Sequence, residues 1–328
     1  SVFHTVFFLR DETMGLGRTV FLSASNSRFL RERAPRLRFV RRAVTRFMPG
    51  EEASDGLNAA AAMWSQGVQA VFTKLGENVT ASDEAQAVAE HYVELYPEIA
   101  ARQLPATVSV KLTQLGLDFD PEFCYQNVAR IIETALAGSR ANGHEPPIVW
   151  IDMEASGYVD ATLDLYRRAR QAYPNVGVCL QAYLRRTAAD LESLLPLGPA
   201  IRLVKGAYQE PASVAFSQKA EVDHNYFQLA TRMLAPDARQ AGLRLGAATH
   251  DRAMIARICA HVTAEKLDRS VLDFQMLYGI QRAEQLRLAR EGWRSTVLIA
   301  YGSFWFPWYM RRLAERPANV TFLLRNLF

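Results

Sequence analysis

Short apolar runs recur along this chain, and each is followed by a stretch with helical spacing. Seven of them close on a polar or charged side chain, over 71–74, 107–111, 148–152, 176–181, 201–205, 245–250 and 271–275; an eighth, over 296–301, closes at Gly302. The helical stretches follow in step. One runs from Ser82 to about Ala101, and one is opened by Asp120-Pro121 and carries Cys124, Val128, Ile131, Ile132 and Ala135 at helical intervals. Others cover 159–172, 187–195, 223–235, 252–261, 282–290 and 307–316, with Thr187, Asp223 and Asp251 placed as N-caps. Strands alternating with helices build a parallel sheet. Eight such units close into a (βα)8 barrel of the TIM type, an α/β fold whose active site is assembled at the C-terminal ends of the strands. Lys111, Asp152, Gln181, Lys205 and His250 are then expected to converge on one mouth.

Ile148-Val149-Trp150-Ile151 and Ile201-Arg202-Leu203-Val204 are nearly continuous in apolar character, as strands covered on both faces require. The competing fold is a doubly wound open sheet, which takes a dinucleotide through a GxGxxG turn after its first strand. The nearest match, Gly15-Leu16-Gly17, lacks the third glycine and follows Arg10-Asp11-Glu12, so it reads as a turn. Residues 1–69 are poor in strand signals, and Ala59-Ala60-Ala61-Ala62-Met63 favours helix. A helical arm or cap over 1–69 is expected ahead of a catalytic barrel over 70–328, with no second folded domain.

Composition adds a few bounds. The 328 residues, 49% of them apolar, hold one barrel of about 250 residues plus extra helices. No apolar run approaches the roughly 20 residues of a bilayer span, and no secretory signal is visible. Cys124, Cys179 and Cys259 lie far apart in apolar stretches and read as buried reduced thiols, which suits the cytoplasm. The net charge of +4 is concentrated in Arg28, Arg31, Arg33, Arg36, Arg38, Arg41, Arg42 and Arg46. That segment is either a solvated helix face or a basic face for an anionic membrane surface. It lacks the interleaved aromatic residues of nucleic-acid-binding segments, so no nucleic-acid partner is expected.

The heptapeptide Arg202-Leu203-Val204-Lys205-Gly206-Ala207-Tyr208 carries the most chemistry. Strand alternation sends Arg202 and Val204 to one side and Leu203 and Lys205 to the other, and Gly206 lets the backbone bend and approach a ligand. Two cations here need an anionic or electron-rich partner, because an unpaired buried charge is costly; a barrel-end ion pair with Asp152 or Glu154 would also satisfy them. Arg311-Arg312 at a helix start can clasp one carboxylate from two directions, helped by the helix N-terminal amides. A surface pair is the alternative, opposed by the aromatic run Phe304-Trp305-Phe306 just ahead. His250 closes its strand without HExxH or paired-histidine spacing, so it reads as a hydrogen-bonding group and no metal is expected. No GxSxG elbow is present. Lys111 and Lys205 at strand ends leave a Schiff-base aldolase open, and the basic segment leaves open a non-enzymatic protein that binds a membrane or nucleic acid.

Longer stretches make a resemblance specific. Leu75-Gly76-Glu77, Ser109-Val110-Lys111-Leu112-Thr113-Gln114-Leu115-Gly116-Leu117, Asp152-Met153-Glu154, Leu180-Gln181-Ala182-Tyr183-Leu184, the 202–208 heptapeptide, Ala248-Thr249-His250-Asp251, Phe274-Gln275-Met276-Leu277-Tyr278-Gly279 and Arg311-Arg312-Leu313-Ala314-Glu315-Arg316-Pro317 follow one another in family order. With them the chain resembles the monofunctional bacterial proline dehydrogenases, flavoenzymes that also form the first domain of bifunctional proline-utilisation proteins.

The resemblance implies a barrel that binds FAD without a dinucleotide fingerprint and oxidises L-proline to 1-pyrroline-5-carboxylate. The hydride would pass to flavin N5 and the electrons to a membrane quinone, with a pyrroline-5-carboxylate dehydrogenase acting next on the way to glutamate. It implies a cytoplasmic enzyme, with peripheral contact to the inner face of the cell membrane. Carried over by motif, Asp152 and Arg202 take the catalytic positions. Lys111, Arg311 and Arg312 hold the proline carboxylate, Tyr208 and Leu277 pack on its ring, and Glu77 gates the site by pairing with Arg311. Met153, Gln181, Val204, Lys205, Gly206, Ala207, Thr249 and His250 contact FAD. Two positions depart from the family pattern: Leu298 stands where a ring-contacting tyrosine is usual, and Trp308 also replaces a tyrosine.

Overall fold

Each strand is apolar on its outer face because a helix lies against it, and the inner face alternates packed and polar side chains. The strands are β1 Gln69–Lys74, β2 Ala106–Val110, β3 Val149–Ile151, β4 Val176–Gln181, β5 Ala200–Val204, β6 Arg244–Ala248, β7 Leu272–Leu277 and β8 Arg294–Tyr301. In the computed structural model, which describes residues 44–76, 79–142 and 145–306, they form a closed barrel in sequence order. All neighbours are parallel, and β8 returns to β1 in register from Gln69↔Thr296 to Lys74↔Tyr301. This is the expected (βα)8 fold.

The helices are α1 Ala53–Trp64, α2 Ser82–Ala101, α3 Pro121–Asn142, α4 Val159–Ala172, α5 Thr187–Leu194, α6 Lys219–Met233, α7 Pro236–Gln240, α8 Arg252–Ala264 and α9 Arg282–Arg290. Outward residues such as Val108, Val110, Ile151, Leu203 and Phe274 are completely covered and merge with Tyr92, Ile131 and Tyr226 of the helices in one core. Inside the barrel a smaller apolar plug forms from Val71, Trp150 and Ala200, with Ile148 and Leu298 packed against it. Helix α1 lies across the seam between β1 and β8. It lies within the expected helical arm, of which residues 44–69 are described. Most of the basic segment, Glu77, Trp308, the helix placed over 307–316 and its Arg311 and Arg312 lie outside them.

Of the three N-caps, Asp251 caps α8, accepting from the amides of Ala253 and Met254. Thr187 instead occupies the first turn of α5 and donates its hydroxyl to the carbonyl of Gln181. Asp223 lies inside α6, which starts earlier, at a capping box between Gln218 and Glu221; its carboxylate accepts from Lys205. Cys124 and Cys179 are buried, and burial pushes both thiols up to about 12; Cys259 is half-buried, and all three are free. Among the described residues no helix is long and apolar enough to cross a membrane.

Candidate active site

Arg202 is the centre of the barrel's polar interior. It projects inward from β5, is 3% exposed, and its guanidinium lies 4.7 Å above the Trp150 ring. Its Nη1 donates to Ser109 Oγ at 2.7 Å and to Asp152 Oδ1 at 2.9 Å, while Ser109 Oγ donates to the same Asp152 oxygen at 2.6 Å. Its Nε donates to Gln275 Oε1 at 2.6 Å. Gln275 Nε2 donates to Asp273 Oδ2 at 2.9 Å, and Thr296 donates to the other oxygen at 2.8 Å. Burial pushes the Asp273 carboxyl up to about 6, against the opposing pull of these hydrogen bonds. The pairing is energetically required, since removing one partner of such a buried pair costs about 3–5 kcal/mol. One donor remains: Arg202 Nη2 is buried and meets no hydrogen-bond partner among the described residues.

The rim builds outward from this centre. Lys111 Nζ lies 3.8 Å from Asp152 Oδ2, and both side chains are partly exposed. Glu154 accepts from the Thr113 amide at 3.2 Å and hydroxyl at 2.8 Å, yet burial still raises its carboxyl above the usual range. Gln181 Nε2 donates to the Glu154 carbonyl at 2.8 Å, and Met153, just before Glu154, is buried. His250 Nε2 accepts from the Leu277 amide at 2.9 Å, which leaves the ring proton of the neutral form on Nδ1. Thr249 is buried and its hydroxyl accepts from the Asp251 amide.

Lys111, Asp152 and Arg202 therefore meet directly, and His250 meets Leu277. Lys205 does not join them. It leaves the opposite side of β5 and is clasped by Asp251 at 2.7 Å and Asp223 at 2.5 Å. The barrel-end ion pair weighed for both cations thus exists for Arg202 with Asp152, whereas Lys205 uses carboxylates of α6 and the α8 cap. Val204, Gly206 and Tyr208 are half-buried and Ala207 is exposed. Gly206 has φ +115°, and a Cβ there would lie 2.2 Å from the Tyr183 ring, so the backbone lies close against that ring. The following segment is tied back across the mouth, where Glu210 accepts from both the amide and the hydroxyl of Ser156.

Residue-by-residue reading did not single out Ser109, Asp273, Gln275 or Thr296 as a set. Their signal was strand alternation: Asp273 and Gln275 are two apart on β7 and face the same way as Leu277. The donor set fits an electron-rich planar group over the mouth. A buried guanidinium offers one uncommitted NH2 group, Nη2, and the 206–208 turn is shaped for backbone approach. An ammonium beside it, at Lys111, suits an anionic substituent.

The chain matches the family model described as proline dehydrogenase over residues 56–325. It is 36% identical over 310 residues to proline dehydrogenase 2 of Bacillus subtilis strain 168, covering 94% of this chain and 98% of that protein. It is 34% identical over 287 residues to the proline dehydrogenase of Deinococcus radiodurans, covering 86% and 89%. Among solved structures it is similar to proline utilization A from Bdellovibrio bacteriovorus inactivated by N-propargylglycine, with TM-score 0.75 and 22% identity over 84% of this chain. Proline utilization A from Corynebacterium freiburgense gives TM-score 0.71 and 21% identity over 96% of this chain. The chain spans about a third of the length of these two proteins, 33% and 34%.

Proposed function

This chain belongs to the proline dehydrogenase family, and we propose that it oxidises L-proline to 1-pyrroline-5-carboxylate with FAD bound across the mouth of its barrel. The observation that carries this reading is the uncommitted, buried Nη2 of Arg202, held beside Asp152 and Lys111. FAD, when bound, supplies the hydride acceptor; everything else is binding and orientation by the chain. Arg202 offers a fixed positive charge to an electron-rich ring, preorganised by Ser109, Asp152 and Gln275. Met153, Gln181, Val204, Lys205, Gly206, Ala207, Thr249 and His250 make up the proposed FAD surface. Lys111, with Arg311 and Arg312, binds the proline carboxylate. Tyr208 and Leu277 place the ring, and Glu77 gates entry. A membrane quinone takes the electrons in a peripheral encounter at the cytoplasmic face, and a pyrroline-5-carboxylate dehydrogenase consumes the product.

The test is spectroscopic. The purified protein is expected to be yellow, to bleach with L-proline under anaerobic conditions, and to recover colour with a soluble quinone. A colourless protein that FAD cannot reconstitute would refute the reading. A Schiff-base aldolase would instead be trapped by borohydride; Lys205 is poorly placed for that role because two carboxylates engage its amine.

Arg311→Lys and Arg312→Lys should raise KM for proline while flavin stays bound, because an ammonium cannot copy a bidentate guanidinium contact. Losing about 2 kcal/mol of charge-assisted contact weakens binding roughly thirtyfold. Unaltered proline kinetics in both variants would remove the carboxylate role.

Leu298 bears on selectivity. It faces into the barrel against Val71 and Trp150 and stands in register with Leu277. A leucine leaves more room than a tyrosine, so a 4-hydroxyl on the substrate clashes less. Leu298→Tyr should widen the preference for proline over 4-hydroxyproline severalfold, within the about 1–3 kcal/mol that pocket shape supplies. The measurement is the ratio of kcat/KM for the two substrates, and an unchanged or narrower ratio would show that Leu298 does not face the substrate.

A further inference from the structure

We propose that Asp273 is a positioning residue for this reaction, which acts through Gln275 to fix the direction in which Arg202 presents its guanidinium. The proposal rests on the flavin reading above and concerns a residue, Asp273, to which that reading gives no part.

The argument begins with a weakness of glutamine. The two ends of its amide have nearly the same shape and opposite hydrogen-bonding character. Gln275 helps Arg202 only with its oxygen forward, since Arg202 Nε can do nothing but donate. Turned over, the amide would set two donors against each other beside a buried charge. Asp273 removes that ambiguity. As a carboxylate it accepts only, and it takes Gln275 Nε2 at 2.9 Å, which leaves Oε1 for Arg202. The other Asp273 oxygen is held by Thr296 of β8 at 2.8 Å, so the carboxylate cannot swing away from Gln275.

The surroundings restrict Gln275 further. Gly246 on the neighbouring strand faces it, and a Cβ there would lie 2.8 Å from Gln275 Nε2. The amide fills the space that the missing side chain leaves. On the far side, Ser109 and Asp152 hold Nη1, and Trp150 lies under the plane of the guanidinium. Nε and Nη1 together determine where the remaining Nη2 points. The Nε half of that determination traces back through Gln275 to Asp273.

The experiment compares Asp273→Ala, Asp273→Asn and the double variant Asp273→Ala with Gln275→Glu. Kinetics with proline, thermal stability, FAD affinity of the apoprotein and the flavin midpoint potential are read for each. In Asp273→Ala, water fills the gap and, able to donate as well as accept, no longer selects one amide orientation. FAD affinity and KM for proline should stay within about twofold, kcat should fall about tenfold, and the potential should become more negative. A tenfold shift in a two-electron equilibrium is ~30 mV. A merely structural role would lower thermal stability without moving the potential.

Asp273→Asn loses the acceptor-only character and, like water, can offer Gln275 either a donor or an acceptor, so it should share the kcat and potential defects of alanine without leaving a gap. The double variant gives Arg202 a carboxylate with no wrong end and should restore kcat and potential towards wild type. Wild-type potential and kcat in Asp273→Ala would overturn the proposal. So would an Asp273→Asn with wild-type kcat and potential, or a double variant that gains nothing over Asp273→Ala. Should Asp273→Ala fail to fold, Asp273→Ser takes its place with the same expectations. Wild-type protein that proline does not bleach would instead refute the flavin reading, so the two failures are separable.

Discussion

Arg202→Lys is expected to cut kcat by about 10²–10³ while the protein stays folded, the range seen when one preorganised donor is lost from a transition-state site. The charge is kept, so the loss measures geometry. The guanidinium spends Nε on Gln275 and Nη1 on Ser109 and Asp152, and keeps Nη2 for a bound group. These are three directions in one plane. An ammonium places all its donors on one atom at the end of a flexible stem and cannot meet them together. Rapid anaerobic reduction by proline separates the chemical step from later electron transfer. A variant whose reduction rate stays within threefold of wild type would show that Arg202 serves the barrel and not the reaction.

Gly206→Ala is the second large effect, and it arises from space. A Cβ at Gly206 would lie 2.2 Å from the Tyr183 ring, at φ +115°, where an L side chain is strained. Strain of this kind costs about 1–3 kcal/mol before any clash is counted. The clash acts on a junction, because Tyr183 donates its amide to the Lys205 carbonyl and accepts from the Phe216 amide. Moving the ring therefore moves both ends of the 206–216 segment. The variant should unfold at lower urea concentration and lose FAD on gel filtration. Retention of FAD with an unchanged unfolding midpoint would mean that the segment absorbs the methyl group, and would remove Gly206 from the proposed FAD surface.

The barrel was legible because its signal is redundant: eight repeats of one pattern, each ending within two residues of a strand end. Asp152 was legible as a charge at a strand's C-terminal end, and Arg202 as a charge inside an apolar strand, where it needs a partner. What stayed hidden depends on partners far away in sequence. Asp223 has the chemistry of an N-cap, but Lys205 engages it, so α6 starts earlier at Gln218. Thr187 likewise gives its hydroxyl to Gln181. The strand-end lysines looked alike, yet one turns towards Asp152 and the other away to Asp223 and Asp251. Asp273 sat inside a run read for its apolar residues, and Gln275 was read only as the polar residue that closes that run. Their meaning comes from β5 and β8, which lie beside them only after folding. Glu77, Arg311 and Arg312 remain expectations drawn from motif alone.

The arrangement around Arg202 also bears on how the chain reaches this state. Its partners lie 93 positions before it, at Ser109, and 73 positions after it, at Gln275. Contacts of such separation carry a large loop-closure entropy and form late. A partly assembled barrel that holds only β1 to β5 offers Ser109 and Asp152 but not Gln275, and one built from the C-terminal half offers the reverse. In either, the guanidinium is better left in water. Its dehydration becomes favourable only once the ring of strands has closed, so the charge proposed for the chemistry also favours closure as a single step. Any later opening of the barrel on either side exposes the same cation to loss of a partner, which ties the integrity of the reaction centre to the cooperativity of the whole fold.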